Sequence, residues 1–226
     1  MFFDSTFILV LPVLLFALYA QSRVRGAFDT YSRVASTSRL GGAEVARQLL
    51  RNAGLDNVRV ERTNRALGDH YDPRQRILRL SPGVYESNSV AALGVAAHEV
   101  GHAIQHHTGY YPLNLRNSLV PVAGFGSSAA FPLFLIGLFI DSMGLMNLGI
   151  VLFGAAVLFH VVTLPVEKNA SSRALALLES GGFITSREVP PTRAVLDAAA
   201  LTYLAATAMA VAQLLRLLVL RDSRRR

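Results

Sequence analysis

The residues His98-Glu99-Val100-Gly101-His102 place two imidazoles four positions apart, with a carboxylate directly after the first. On a helix, positions i and i+4 share a face, so both rings can reach one divalent cation. A carboxylate one residue on is close enough to take the proton of a water that attacks beside that ion. The chemistry that such a set supports is hydrolysis, with Zn²⁺ held by His98 and His102 and with Glu99 as general base. The flanking residues favour a helix here. Ser87-Asn88-Ser89 can cap it, the run Val90 to Ala97 is apolar and calls for burial, and Gly109 and Pro112 stop it beyond His106 or His107. Two partly exposed surface histidines are the competing reading, and the apolar run before them speaks against it. Gly101 costs about 1 kcal/mol of helix stability relative to Ala, so it needs a reason such as close backbone packing.

A hydrolytic zinc site takes three protein ligands and keeps a fourth position for water. The chain has no cysteine, so the third ligand is a histidine or a carboxylate. The metzincin extension of the motif would need Gly at 105 and His at 108, where Gln105 and Thr108 stand. His106 follows His102 along the same helix axis, where one ion cannot be reached by all three rings, and His107 faces another way. Both are expected to be solvent-exposed or interfacial. Glu167, in Pro165-Val166-Glu167-Lys168-Asn169-Ala170-Ser171-Ser172-Arg173, opens a helix just after an apolar hairpin and is the leading candidate. Glu179, at the far end of that helix beside Gly181, is the second. A carboxylate in a first helical turn is also favoured by the helix dipole alone. His160, Arg173 and Tyr203 are candidate donors to an oxyanion, with a structural hydrogen bond as the plainer reading of His160.

The elements that must position these groups are mostly apolar. Hydrophobic residues make up 52% of the 226 residues and charged ones only 16%, and the mean hydropathy is +0.38. Soluble domains carry about 25% charged residues, so the deficit points to lipid-facing surface. Phe2 to Ala20, Leu119 to Ile140, Leu145 to Leu164 and Ala194 to Leu220 are long enough to span a bilayer. The first block has no basic residue before it, which argues against a cleaved signal peptide, and Arg23 and Arg25 follow it. Asp141-Ser142-Met143-Gly144 turns the two middle blocks into a hairpin, where Gly124, Gly126, Ser127 and Ser128 allow close helix packing. Between the first two blocks the composition turns soluble. Ser36-Thr37-Ser38 caps a helix from Gly42 to Leu50 that ends at Asn52-Ala53-Gly54. Val58, Val60, Ile77, Leu78 and Leu80 give strand-like runs around a turn at Gly68-Asp69-His70-Tyr71-Asp72-Pro73, so a sheet of two or three strands is expected. The strand Arg76 to Leu80 could be an exposed edge that pairs with an extended peptide, or an ordinary hairpin strand blunted by arginine. A second polar helix runs from Val166 to Glu179 and is closed by Gly181-Gly182.

The net charge of +7 comes almost wholly from arginine, with one lysine, Lys168. No aromatic-interleaved basic motif accompanies it, so nucleic acid is not an expected partner. Arginines beside membrane spans instead help to fix orientation. Arg23 and Arg25 put the catalytic side in the cytoplasm. Four spans would then leave Arg224-Arg225-Arg226 outside, against the positive-inside rule, unless the last block inserts only partly or the orientation is reversed.

The HEVGHAIQH run, the GDHYDPR turn and the PVEKNASSRAL run together resemble the neutral zinc metallopeptidases of bacterial membranes, the YugP-like family, over nearly the whole chain. A wider likeness is to HtpX-like membrane gluzincins, whose third ligand begins an ExxAD motif. The resemblance implies His98 and His102 as zinc ligands, Glu99 as catalytic base and Glu167 as third ligand. Ser171 stands where that motif has Asp, so a carboxylate that would hold a ligand imidazole is missing there and another group must orient the ring. The expected fold is a mainly α membrane protein, with about four transmembrane helices and a small α+β zincin-like domain that carries a short β-sheet and the HExxH helix. The expected segments are an N-terminal transmembrane helix (1–22), a zincin-like catalytic region (23–118), a transmembrane hairpin (119–164), a third-ligand helix and loop (165–193), and a C-terminal transmembrane helix with basic tail (194–226). The expected function is a multi-pass zinc endopeptidase of the bacterial cytoplasmic membrane, acting on membrane or misfolded proteins. The alternative is a non-catalytic zinc-binding scaffold or accessory protein, in which a base at Glu99 has no use. Protein or peptide substrates and the lipid bilayer are the expected partners. Nothing in the sequence sets the oligomeric state.

Overall fold

The computed structural model describes residues 5–65 and 68–224. It is mainly helical, with four long apolar helices and one small three-stranded sheet. After a 3-10 turn (Ser5–Leu9) come α1 (Leu11–Tyr31), α2 (Gly42–Asn52), β1 (Arg59–Arg62), β2 (His70–Asp72), β3 (Ile77–Leu80) and α3 (Pro82–Tyr85). They are followed by α4 (Val90–His107), α5 (Tyr111–Phe139), α6 (Met143–Ser180) and α7 (Val189–Ser223). The chain divides into two units, one of Met1–Gln21, Tyr111–Pro165 and Leu201–Arg226, the other of Ser22–Tyr110 and Val166–Ala200. Arg225 and Arg226 of the basic tail lie outside the described residues.

In the first unit, large apolar side chains point outward: Phe125 is 66% exposed, Phe139 84% and Val151 70%. Such surface is costly in water and stable in lipid. The helices Thr6–Tyr31, Tyr111–Phe139, Met143–Ser180 and Val189–Ser223 are long and apolar enough to cross a membrane. α5 and α6 meet where a side chain would not fit. A Cβ on Gly126 would lie 2.5 Å from the Leu152 carbonyl oxygen, and one on Gly149 would lie 2.7 Å from that of Ala130. Gly124 faces open space, and Ser127 and Ser128 bond to the Gly124 carbonyl of their own helix, so of the four small residues expected at the contact Gly126 makes it. Phe134, Met146, Ile150 and Leu217 form the buried centre of this unit. The hairpin turn runs through Asp141 in the left-handed region (φ 59°), with the Ser142 amide donating to Gly137.

In the second unit, α2 buries Val45, Ala46, Leu49 and Leu50 while Arg47 and Arg51 stay on its outer side. Its N-cap is Gly41, not the Ser36–Ser38 cluster expected from sequence. A Cβ on Gly42 would lie 2.3 Å from the Val84 carbonyl oxygen, so backbone proximity sets this start. Ser36 and Thr37 serve tertiary bonds instead. The Ser36 amide donates to Asn88, and the Thr37 amide and hydroxyl both donate to the Glu188 carboxylate.

The sheet order is β1-β3-β2, with β1 parallel and β2 antiparallel to β3. Two expectations are thereby corrected. His70-Tyr71-Asp72 is a strand, and the turn begins only at Asp72, whose carboxylate accepts from the Arg74 and Gln75 amides. β3 is the central strand and not an edge, because the short β2 pairs along its free side. Ile77, Leu78 and Leu80 join Leu49, Leu93, Val100 and Leu178 in the core.

Three helix boundaries also differ from expectation. α1 continues past Arg23 to Tyr31, α7 starts at Val189 with Pro190 and Pro191 in its first turn, and α6 runs unbroken through Pro165. Proline at a helix start lacks only an amide that is unpaired there anyway. Within α6, Pro165 removes one donor without ending the helix, as membrane helices tolerate. At 38 residues α6 is about 57 Å long against a hydrocarbon layer of about 30 Å. Its later turns, including Glu167, therefore extend beyond the apolar stretch.

Candidate active site

α4 carries the motif, and its start follows from Ser89, whose hydroxyl accepts from the Ala92 amide. Thr108 and the left-handed Gly109 (φ 63°) end it. Small residues let this helix sit deep in its unit: Ala91, Ala92, Ala96 and Ala97 are fully buried. Gly101 is required by the approach of α6, because a Cβ there would lie 2.8 Å from the Ala170 carbonyl oxygen and 3.2 Å from its Cα. That close approach brings Glu167 to the two histidines.

His98 Nε2 lies 3.2 Å from Glu167 Oε2, and His102 Nε2 lies 3.5 Å from the same oxygen. The two rings stand nearly perpendicular with centroids 4.7 Å apart. Ligand atoms from the three residues all fall within 4.8 Å of one another. A tetrahedral zinc with bonds near 2.0–2.1 Å has ligand-to-ligand edges of about 3.3 Å, so the donor set fits that ion in chemistry and in spacing. Glu167 is 3% exposed. Glu179 is exposed and stands outside the cluster.

The remaining ring nitrogens are held from behind. Ser171 Oγ lies 3.1 Å from His98 Nδ1, so the serine in the Asp position of the ExxAD pattern still meets an imidazole of the cluster. His102 Nδ1 lies 3.0 Å from Gln105 Oε1. Gln105 is fully buried and its amide nitrogen donates to the Val166 carbonyl at 2.8 Å and to Asn169 Oδ1 at 2.9 Å. Sequence reasoning used Gln105 only to exclude a metzincin. The signal available was a polar residue three positions after a ligand, on the same helical face.

Electrostatics tie the cluster together. Burial alone would lower the His102 pKa, but its hydrogen bond to Glu167 and the charges of Glu99 and Glu167 outweigh that and raise it. Burial would raise the Glu167 carboxyl, yet the hydrogen bonds and charges of His102 and His98 hold it well below the usual carboxylate range. Glu99 is 8% exposed, on the helix that carries both rings. Of the other candidates, Arg173 donates through Nε to Asn169 Oδ1 at 2.8 Å, while His160 and Tyr203 belong to the apolar unit. His106 is half-buried with Nδ1 3.0 Å from the Tyr71 hydroxyl, and His107 is exposed; both stand outside the cluster.

Comparison with known proteins agrees with this geometry. Residues 6–222 match the family described as "Putative neutral zinc metallopeptidase". The chain is 46% identical over 212 residues, 94% of each chain, to the "Putative membrane protease YugP" of Bacillus subtilis (strain 168). No solved structure gives a significant match. With the match spanning nearly its full length, and His98, His102 and Glu167 gathered as a possible metal site, the chain belongs to the neutral zinc metallopeptidase family.

Proposed function

We propose that this protein is a gluzincin-type zinc endopeptidase of the bacterial cytoplasmic membrane, cutting peptide bonds of membrane or misfolded proteins. The observation that carries the reading is the convergence of His98 Nε2, His102 Nε2 and Glu167 Oε2, with both Nδ1 atoms engaged elsewhere. These three residues are the ligands, and a bound zinc ion would supply Lewis acidity to the scissile carbonyl and to the attacking water. Glu99 accepts the proton of that water and passes it to the leaving amine. Ser171 and Gln105 keep the imidazoles oriented. Of the candidate donors to the oxyanion, Arg173 is the one on the same unit as these residues. The four apolar helices and the membrane-protease relative support the location, and Arg23 and Arg25 support a cytoplasmic catalytic side.

The test uses purified protein in detergent. Glu99→Gln keeps stoichiometric zinc and cleaves a casein-type substrate about 10²–10⁴-fold more slowly. Glu167→Ala loses zinc, and Glu179→Ala does not. A zinc-loaded wild type that cuts no protein would overturn the peptidase reading in favour of a scaffold. Undiminished zinc in Glu167→Ala would overturn the ligand assignment.

A further inference from the structure

Resting on the ligand assignment above, we infer that Arg173, Asn169 and Gln105 form a polarised hydrogen-bond chain that fixes the tautomer of His102 and thereby sets metal affinity. The direction of the chain follows from its ends. Arg173 Nε has only a hydrogen to give, so the Asn169 atom 2.8 Å away is its carbonyl oxygen. The same oxygen accepts from Gln105 Nε2 at 2.9 Å. Val166 presents a backbone carbonyl to that nitrogen at 2.8 Å and can only accept. If the Gln105 amide were turned over, its oxygen would face two other acceptors. Its NH₂ is therefore locked toward α6, and its Oε1 is left facing His102 Nδ1 at 3.0 Å.

An amide oxygen cannot donate, so Nδ1 must carry the hydrogen. The Nε2 lone pair is then directed at the point shared with His98 and Glu167. Ser171 cannot do this for His98, because a hydroxyl donates or accepts with equal ease. One imidazole is thus fixed in its ligating form by a built network, and the other is only held in place. The bond to Val166 has a second effect. It joins α4 to the residue directly before Glu167, so Gln105 positions the third ligand as well as the second. Gln105 is fully buried and has no direct contact with the point where the metal would sit, so it is a positioning residue.

The experiment measures the Zn²⁺ dissociation constant of the full-length protein in detergent, by competition with a chromogenic chelator. Circular dichroism of each variant follows helix content. Gln105→Leu fills a similar volume without the amide and is expected to bind zinc about 10–100-fold more weakly, with helix content unchanged. Gln105→Glu, buried against the Val166 carbonyl and Asn169 Oδ1, is expected to stay protonated, so that its hydroxyl donates toward α6, its carbonyl oxygen still faces Nδ1, and most of that affinity returns. Arg173→Met leaves Gln105 in place but frees the Asn169 amide to turn, and gives a smaller loss in the same direction. Zinc affinity of Gln105→Leu within about twofold of a zinc-binding wild type would overturn the inference alone. Equal losses in the Leu and Glu variants would also overturn it, by making Gln105 a packing residue. A wild type that binds no zinc overturns this inference and the ligand assignment together.

Discussion

Ser171 on α6 and Gln105 on α4 meet the His98 and His102 rings, and neither carries a charge. The ExxAD pattern puts an anionic acceptor where this chain has a hydroxyl, and a charged partner makes a stronger hydrogen bond to Nδ1–H than a neutral one. The serine still contributes orientation. Ser171→Ala is therefore expected to weaken zinc binding about tenfold while leaving its 1:1 stoichiometry, and a chelator competition titration reads the change. Affinity equal to wild type would show that the α4–α6 approach alone orients His98. What was legible at this scale was local. His98, Glu99 and His102 lie within five residues of one helix, and the shared face of the two imidazoles was readable from their spacing. Gln105 meets His102 locally, but the Val166 carbonyl that fixes its amide lies 61 positions away and Ser171 lies 73 from His98, and no local pattern encodes such distances.

At the scale of elements, the approach of α6 to α4 is the contact on which the site depends. Ala is the better helix former by about 1 kcal/mol, so Gly101→Ala would stabilise an isolated helix. Here the added carbon would sit 2.8 Å from the Ala170 carbonyl oxygen, against backbone that cannot rotate away. The expected net result is a loss of about 1–3 kcal/mol of stability together with weakened zinc binding, measured by thermal melting with and without zinc. A more stable variant with full zinc affinity would contradict the close approach. A second contact sits at the start of α7. Glu188 is 9% exposed and accepts from the amides and hydroxyls of Thr185 and Thr37 at 2.6–2.9 Å. Burial pulls this carboxyl up, but the donors from Thr185 and Thr37 outweigh it and leave the pKa below the usual value of about 4.5. A depressed folded pKa gives stability that is complete above the unfolded value and is lost as the pH falls through the folded one. Glu188→Gln should then cost about 1–3 kcal/mol at pH 7, with the difference from wild type shrinking below about pH 4 in melts across that range. The helices were legible because apolar runs and caps are strong signals, and α4 begins and ends where Ser89 and Gly109 predicted. β2 was missed because three residues with turn-forming neighbours become a strand only through β3. The break expected at Pro165 did not occur, since one missing donor is a smaller effect than continued packing of Val166, Ala170 and Ala174.

For the molecule as a whole, the orientation rests on charge. In the proposed orientation, Arg23 and Arg25 in the later turns of α1 hold its C-terminal end in the cytoplasm, and four crossings from there would put the Asp141 turn and the end of α7 outside. That orientation would leave the basic C-terminal sequence on the outer face, which the positive-inside rule disfavours. The rule acts most strongly on the first span, and the tail meets the membrane only after three others have been fixed. The first arginines should therefore prevail. The absence of cysteine makes the chain its own background for labelling. Arg51, Asp141 and Ser223 are all exposed, so single cysteines there leave the buried core untouched, with a small strain at Asp141, whose left-handed φ of 59° suits Asp better than Cys. In intact spheroplasts a membrane-impermeant maleimide is expected to label Asp141→Cys and Ser223→Cys, and to reach Arg51→Cys only after permeabilisation. Labelling of Arg51→Cys without permeabilisation would reverse the orientation and put the hydrolytic site outside the cell. Protection of Ser223→Cys with the other two as expected would mean that α7 does not carry its end across. The outcome also decides which substrates can reach the site. A cytoplasmic Glu99 meets newly made or misfolded chains and the inner ends of membrane proteins, whereas an outward-facing one meets exported chains.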